Sequence, residues 1–232
     1  MKMKSYFVFP KIFLVFLNLS RRAEVCRGLT PDMFLKIIGL FLVVSSVVHC
    51  EIQLPNTTKP LSYYLSLTTY IHEEDYSFFG FVDINIRALE TTDTVTLHAE
   101  NLDDLEVTLR DKNSSPAKVY HNLTFSEDKE NDFLRIEMPD NVVLQEGHDY
   151  TISVSFLGEM ANSSYGFYKL NFMDSQNRRV VLAATQFENI FARRVFPCYD
   201  DPKYKANFTI ALTHGSEFKA YSNMPQEGPL CQ

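Results

Sequence analysis

The sequence is poor in the residues that mark unusual structural classes. Its 232 residues include only 8 glycines and 10 prolines, while 45% of the side chains are apolar and 22% are charged. These proportions exclude a collagen-like, low-complexity or disordered chain. The four cysteines form no Cys-x-x-Cys pair, so neither a disulfide framework nor a cysteine metal site is predicted. The length fits one domain, or one domain with a targeting segment.

Positive charge is also scarce, and it is unevenly distributed. The formal net charge is −7, which argues against nucleic acid as a partner, because phosphate binding needs a basic surface. Residues 1–50 hold seven Lys or Arg and two Asp or Glu, a balance of +5, whereas residues 51–232 have a balance of −12. The first fifty residues therefore belong to a different physical class from the rest.

The N-terminal region lacks an apolar run of the length that spans a bilayer comfortably, which is about 20 residues. Residues 6–19 and 37–48 are shorter runs preceded by lysines, as in the core of a signal peptide. We assign residues 1–50 to a targeting region, with the signal peptide at 33–50 and residues 1–32 as an upstream extension. The alternative is an uncleaved signal anchor. Either reading predicts the secretory pathway, with an extracellular or plasma-membrane-associated product.

Potential N-glycosylation sites also indicate secretion. Six Asn-x-Ser/Thr sequences occur, about three times the number that chance predicts, and the one at Asn18 would be lost with the targeting region. Asn207 lies inside a strand pattern, which predicts poor access for modification. The five candidate glycosylation sites of the remaining chain are Asn56, Asn113, Asn122, Asn162 and Asn207.

From residue 60 onward the apolar side chains alternate with polar ones, which is the period of strands with one face on a core. The alternating segments fall within 61–71, 82–88, 95–97, 105–109, 134–138, 150–156 and 208–212. Polar turns are predicted at 73–76, 111–116, 126–131, 146–149 and 174–177, and one helical turn around 188–194. The sequence therefore predicts one all-β domain over 51–225, a sandwich or curved sheet.

The candidate chemistry lies in the segment that follows residue 183. Gln186 and Glu188 are two residues apart, so on an extended strand they would share a face. A carboxylate beside an amide oxygen can bind an ammonium group. The alternative is a surface loop with ordinary salt bridges, in which Arg193 and Arg194 pair with the acidic pair 200–201. The pattern alone favours the surface loop.

The order of short motifs in this region adds a second line of argument. They are Gly166-Phe167-Tyr168, Thr185-Gln186-Phe187-Glu188, Ala192-Arg193-Arg194, Phe196-Pro197-Cys198-Tyr199-Asp200-Asp201-Pro202, Lys205-Ala206-Asn207-Phe208 and Ser222-Asn223-Met224-Pro225. The segment 54–225 thereby resembles the N-terminal domain of the zinc aminopeptidases typified by aminopeptidase N. One departure is Asp201, where the family usually has Glu.

The resemblance implies a saddle-shaped β domain that covers a catalytic domain. It implies that Gln186 and Glu188 recognise the free α-amino group of a peptide substrate. It also implies that Cys198 is a buried structural thiol, so a bridge to Cys231 is not expected. For the full-length enzyme the resemblance implies a zinc cofactor and membrane association.

The zinc motif of that family, His-Glu-x-x-His on a helix, does not occur among the six histidines. The chain is therefore expected to lack the zinc-binding catalytic domain, to bind no metal and to be inactive by itself, and the tail 226–232 is interpreted as aberrant. Two main hypotheses remain, beside a weaker third one that the chain is a non-functional fragment. In the first, the chain is the amine-recognising domain of an aminopeptidase that removes N-terminal residues from peptides. In the second, it is a secreted non-catalytic β domain that binds peptides or proteins.

Overall fold

The computed structural model describes residues 2–6, 53–177 and 179–227. The chain divides into two compact units, one of residues 1–9 with 54–232 and one of residues 10–53. The fold described below is that of the first unit. The predicted signal peptide at 33–50 lies outside the described residues, and so do residues 228–232 of the predicted tail.

The described unit is built almost entirely of strands, which confirms the predicted all-β fold class. Two short 3-10 turns, Ile71–Glu73 and Ala192–Arg194, are its helical elements, and no helix in the described part of the chain is long and apolar enough to cross a membrane. The strands are β1 (Lys2–Tyr6), β2 (Thr58–Thr69), β3 (Ser77–Ala88), β4 (Thr94–His98), β5 (Asp103–Asp111), β6 (Lys118–Tyr120), β7 (Phe125–Asp128), β8 (Phe133–Glu137), β9 (Asp149–Glu159), β10 (Gly166–Met173), β11 (Arg179–Gln186), β12 (Asn207–Thr213) and β13 (Gln226–Glu227).

The strands form three sheets in a sandwich-like arrangement. The largest has the order β13-β1-β12-β2-β3-β9-β5-β6, the second has the order β4-β8-β7, and the third is the β10–β11 hairpin. β12 runs parallel to β2, and the other paired strands of the described unit are antiparallel. β1 comes from the predicted upstream extension, and its pairing with β12 was not expected from the sequence.

The core follows from the alternation. In β3 the side chains of Val82, Ile84 and Ile86 are fully buried, and so are Ile152 and Val154 in the paired strand β9. The intervening residues of both strands are more exposed. Because side chains of adjacent residues point to opposite faces of a sheet, this pattern places one face of the large sheet on the core.

One predicted turn needs correction, and the two strands of the β10–β11 hairpin were not predicted. The predicted turn at 126–131 is wrong in its first half, because Phe125–Asp128 forms β7 against β8. The hairpin strands β10 and β11 were missed because apolar residues point to both of their faces, so neither strand alternates. The turn predicted at 174–177 is the connection between them.

Candidate functional site at the base of the β10–β11 hairpin

The β10–β11 hairpin positions the first candidate residue. Gln186 is the last residue of β11 and pairs with Gly166, the first residue of β10. The face that carries Gln186 also carries Leu170, Phe172 and Leu182, whose side chains are 41%, 49% and 39% exposed. Gln186 is therefore the polar end of an otherwise apolar and accessible face.

The opposite face of the hairpin packs on the rest of the unit. Phe167 is buried, and its ring centroid lies 5.3 Å from that of Phe78. The ammonium of Lys169 lies 3.4 Å from the ring centroid of Tyr76. These contacts fix the base of the hairpin, and with it the end of β11.

Glu188 does not lie on the strand, which corrects one detail of the prediction. β11 ends at Gln186, and Glu188 is in the turn that follows, where the Glu188–Asn189 peptide is cis. Phe187 between them packs against the core, with its ring centroid 6.0 Å from that of Phe196. Gln186 is exposed and Glu188 is half-buried. Neither side chain makes a hydrogen bond or ion pair with any other residue in the described part of the chain.

The loop after Glu188 is anchored by a buried ion pair. The side chains of Arg193 and Asp200 are 3% and 1% exposed, and Arg193 Nε donates to Asp200 Oδ2 at 3.2 Å. The Arg193 backbone N–H donates to the same oxygen at 3.2 Å, and Nη2 donates to the Asp200 carbonyl at 3.3 Å. The ion pairing predicted for this loop is therefore confirmed for Arg193 and Asp200, but the interpretation as a surface loop is wrong.

Arg194 has a different partner from the one considered in the sequence. Its Nε donates to Glu100 Oε2 at 2.8 Å, and its guanidinium lies 5.0 Å from the ring centroid of Phe191. A Cβ added to Gly166, which has φ +71°, would lie 3.2 Å from the Cβ of Arg194. The side chain of Arg194 therefore packs closely against the first residue of the hairpin.

A buried histidine is hydrogen-bonded to the end of the same loop. His98 is 3% exposed, and its Nδ1 accepts a hydrogen bond from the Asp200 backbone N–H at 3.2 Å. The backbones of His98 and Cys198 exchange two hydrogen bonds of 2.8 and 3.0 Å. Burial, together with the charge of Arg193, lowers the pKa of His98 to about 3. The ring is therefore neutral at physiological pH and acts as an acceptor.

The remaining buried polar groups tie the loop to β2. Tyr199 and Thr58 share a hydrogen bond of 2.7 Å between their hydroxyls, and the Tyr63 hydroxyl accepts from the Tyr199 backbone N–H at 3.1 Å. Cys198 is a free, buried thiol whose pKa is raised by desolvation. This confirms the implied structural thiol, while Cys231 lies outside the described residues.

Carboxylates outnumber cations around the loop. A cleft of about 470 Å³ lies beside Arg194 and Tyr165. The charged residues that line it are Glu100, Asp103, Glu127, Asp128, Asp132 and Glu159 against Lys129 and Arg194. Such an excess of negative charge raises the local concentration of cations.

The described residues do not fit a zinc site. No group of three His, Cys, Asp or Glu side chains suited to a metal ion occurs among them.

The five candidate glycosylation sites all lie on exposed asparagines, namely Asn56, Asn113, Asn122, Asn162 and Asn207. The poor access predicted for Asn207 is wrong. Asn207 is the first residue of β12 and is exposed, although its neighbours in the strand are half-buried. Accessibility therefore does not disfavour any of the five.

Some members of the site could not be found in the sequence. Glu100 and Asp132 bind the two arginines, but they lie about 60 to 95 residues away in the chain, and neither stands in a motif. Only the folded topology brings them to the loop.

Fold and site together define an all-β domain in which Glu188, after the hairpin, has no ion pair among the described residues. A family model, the Peptidase M1 N-terminal domain, matches residues 59–229. The chain belongs to this family.

Curated relatives agree with this assignment. Aminopeptidase N of Rattus norvegicus is 33% identical over 182 residues, which is 75% of this chain and 18% of that protein. Puromycin-sensitive aminopeptidase of Caenorhabditis elegans is 32% identical over 180 residues, covering 78% of this chain and 18% of that protein. Endoplasmic reticulum aminopeptidase 1 of Homo sapiens is 30% identical over 175 residues, with coverages of 75% and 18%. The chain thus spans less than a fifth of the length of these relatives.

Proposed function

We propose that this chain is the substrate-amine-recognising N-terminal domain of a zinc-dependent aminopeptidase that removes N-terminal residues from peptides. Gln186 and Glu188 bind the free α-amino group of the peptide substrate. The relatives named above are all aminopeptidases, which supports the reaction class. The zinc and the catalytic groups belong to a catalytic domain outside this chain.

One observation carries the proposal. The two arginines that follow Glu188 in the same loop are both bound to other carboxylates, Arg193 to Asp200 and Asp132, and Arg194 to Glu100. Glu188 itself has no ion pair or hydrogen bond among the described residues. A half-buried carboxylate without a cation is partly desolvated, so it gains from binding an external one.

A peptide α-amine fits this site in charge and in hydrogen bonding. An ammonium group has donors and no acceptor, and the Glu188 carboxylate and the Gln186 amide oxygen are acceptors. Charge-assisted hydrogen bonds of this kind contribute about 1.5–3 kcal/mol each. A blocked N-terminus has neither the charge nor the same donors, so the site selects free N-termini.

Zinc, membrane association and the secretory pathway are further parts of the proposal for the full-length protein. The predicted signal peptide and the five exposed sequon asparagines support the compartment. The acidic balance of residues 51–232 argues against nucleic acid as a partner. The competing hypothesis is a secreted, non-catalytic β domain that binds peptides or proteins, and the mass of the native product distinguishes the two.

The experiment is an NMR titration of the purified chain with leucine amide and with N-acetyl-leucine amide. We expect leucine amide to shift the backbone signals of residues 186–190 and the acetylated ligand to leave them unchanged. Glu188→Gln should weaken the binding by about 10- to 100-fold, since a charge-assisted bond is lost. Glu146→Gln, at an exposed glutamate of the β8–β9 connection, is the matched control. Equal binding of both ligands would overturn the proposal.

A further inference from the structure

We propose that Arg193, through its buried pair with Asp200, is a positioning residue that fixes the loop 187–191 and hence Glu188. Only the role of this loop in binding the substrate amine rests on the proposed function. The anchoring itself is a claim about the structure of this chain.

Three segments of the chain meet at Arg193: its own loop, the β7–β8 turn and the β4–β5 connection. Its guanidinium binds the carboxylate and carbonyl of Asp200, and Nη1 lies 3.5 Å from Asp132 Oδ2 in the β7–β8 turn. Its own carbonyl accepts the Glu100 backbone N–H at 2.9 Å, in the β4–β5 connection. One side chain and its backbone thus join the loop to two other connections of the fold.

Backbone hydrogen bonds connect the region of Arg193 to the residue before Glu188. The Arg194 backbone N–H donates to the Phe191 carbonyl at 3.3 Å, and the Phe191 N–H donates to the Phe187 carbonyl at 3.0 Å. These two bonds form a continuous path from the anchor to the residue before Glu188. The Tyr165 ring, 4.4 Å from that of Phe191 between centroids, supports the path from the hairpin side.

A buried ion pair costs free energy of desolvation when the chain folds. Burial of two charges is offset only by excellent geometry, and apolar replacements of a buried pair are often as stable. A short apolar contact between this loop and the core would therefore hold the fold together equally well. What directional hydrogen bonds add is a fixed position, as binding sites require.

The test uses the double variant Arg193→Met with Asp200→Asn, which removes both charges of the buried pair, while Asp132, at 30% exposure, keeps its access to solvent. The same two substitutions at the exposed pair, Arg87→Met with Asp149→Asn, are the matched control, because that pair has equally good geometry at 44% and 42% exposure. Hydrogen exchange is measured at the amides of Phe191 and Arg194, with Ile84 in β3 as the reference for the core. Binding of leucine amide is measured on the same samples.

We expect the double variant at 193 and 200 to lose about tenfold in exchange protection at Phe191 and Arg194, with Ile84 unchanged. Its affinity for leucine amide should fall by about tenfold or more, because a small misplacement of a binding group is costly. The control at 87 and 149 should change neither. Unchanged protection at Phe191 would overturn the anchoring. Lost protection with unchanged affinity would overturn the role in positioning Glu188.

Arg193→Lys keeps the test decisive if the double variant does not fold. Lysine retains the charge but presents one ammonium instead of the planar fork that reaches two groups of Asp200. Protection at Phe191 should then fall while the fold is retained, and full protection would contradict the proposal. If the unaltered chain fails to distinguish leucine amide from its acetylated form, the proposed function fails, and the exchange data still decide whether Arg193 anchors the loop.

Discussion

At the scale of single residues, the main feature is a buried ion pair in the loop that follows β11. Arg193 and Asp200 are almost inaccessible, and both lie within the loop that carries Glu188. The sequence indicated that Arg193 and Arg194 could pair with the acidic residues 200–201, which follow six to eight positions later. It could not indicate their burial or the part played by Asp132, since both depend on strands that are distant in the chain.

Removing one member of the Arg193–Asp200 pair should destabilise the domain more than removing both. Arg193→Met alone leaves Asp200 buried without its cation, and we expect a loss of about 3–5 kcal/mol in the free energy of unfolding. Adding Asp200→Asn should recover most of that loss. Chemical denaturation measures both. Arg87→Met, at a pair that is over 40% exposed, should cost much less, because water screens the two charges. Equal costs at the two pairs would contradict the account.

The buried imidazole of His98 makes stability depend on pH. Its pKa in the folded state is about 3, below the usual value of about 6.5 in an unfolded chain. The unfolded chain therefore takes up a proton first, and the contribution of neutral His98 is complete above pH 6.5 and lost as the pH falls toward 3. Relative to His98→Asn, whose amide oxygen can replace Nδ1 as acceptor, the unaltered chain should lose up to about 1.4 kcal/mol per pH unit.

Urea denaturation at pH 7, 6, 5 and 4 measures this difference, and comparison of variants cancels the carboxylates that titrate in the same range. His148→Asn, at an exposed histidine in the β8–β9 connection, is the control for the loss of an imidazole ring. A His98→Asn variant with the same pH profile as the unaltered chain would show that the ring is not held neutral.

At the scale of elements, alternation was a reliable guide only for strands with one face in water. β2, β3, β5, β8, β9 and β12 were predicted within a few residues because their core face is apolar and their other face polar. The hairpin strands β10 and β11 were not, because one face packs on the core and the other exposes Leu170, Phe172 and Leu182. The sequence thus singled out Gln186 and Glu188 as candidates but did not predict the hairpin at whose base they lie.

The pairing of β3 with β9 depends on two glycines that face aromatic rings. Gly80 is opposite Phe156 and Gly158 is opposite Phe78, and in each pair the ring lies over the glycine. Gly80→Ala would place a methyl group within the ring of Phe156, which is fully buried. We expect a loss of about 1–3 kcal/mol in the free energy of unfolding, as for other overpacked cores.

A double-mutant cycle with Phe156→Leu tests this cause. The smaller side chain should relieve part of the overlap, so Gly80→Ala should cost less in the Phe156→Leu background than in the unaltered chain. Thermal or urea unfolding gives the four free energies. Strictly additive effects would show that the ring is not the obstacle.

At the scale of the whole molecule, family membership is established while the activity of the complete protein is a proposal. The chain matches the Peptidase M1 N-terminal domain and covers 18% of the relatives' length. The motifs in 166–225 carried this assignment from the sequence alone, because they are dense and occur in the family's order. Membrane association and partners are part of the proposal for the complete protein.

Glycosylation is the prediction that concerns the whole surface. All five sequon asparagines of residues 53–227 are exposed, so we expect the native product to carry several N-linked glycans. Enzymatic deglycosylation should lower its mass, and Asn→Gln at each occupied site should remove one step of that shift. A mass that does not change on deglycosylation would contradict both the glycosylation and the proposed secretory compartment.

The most direct test of the central claim is made on the native product. An antibody raised to residues 53–227 is used to precipitate it, and the precipitate is assayed for mass and for hydrolysis of fluorogenic leucine amide and its N-acetylated form. The account predicts a product several times longer than this chain that releases leucine in a chelator-sensitive manner and does not act on the acetylated substrate. A product of the size of this chain with no hydrolysis, or one that hydrolyses both substrates equally, would contradict it.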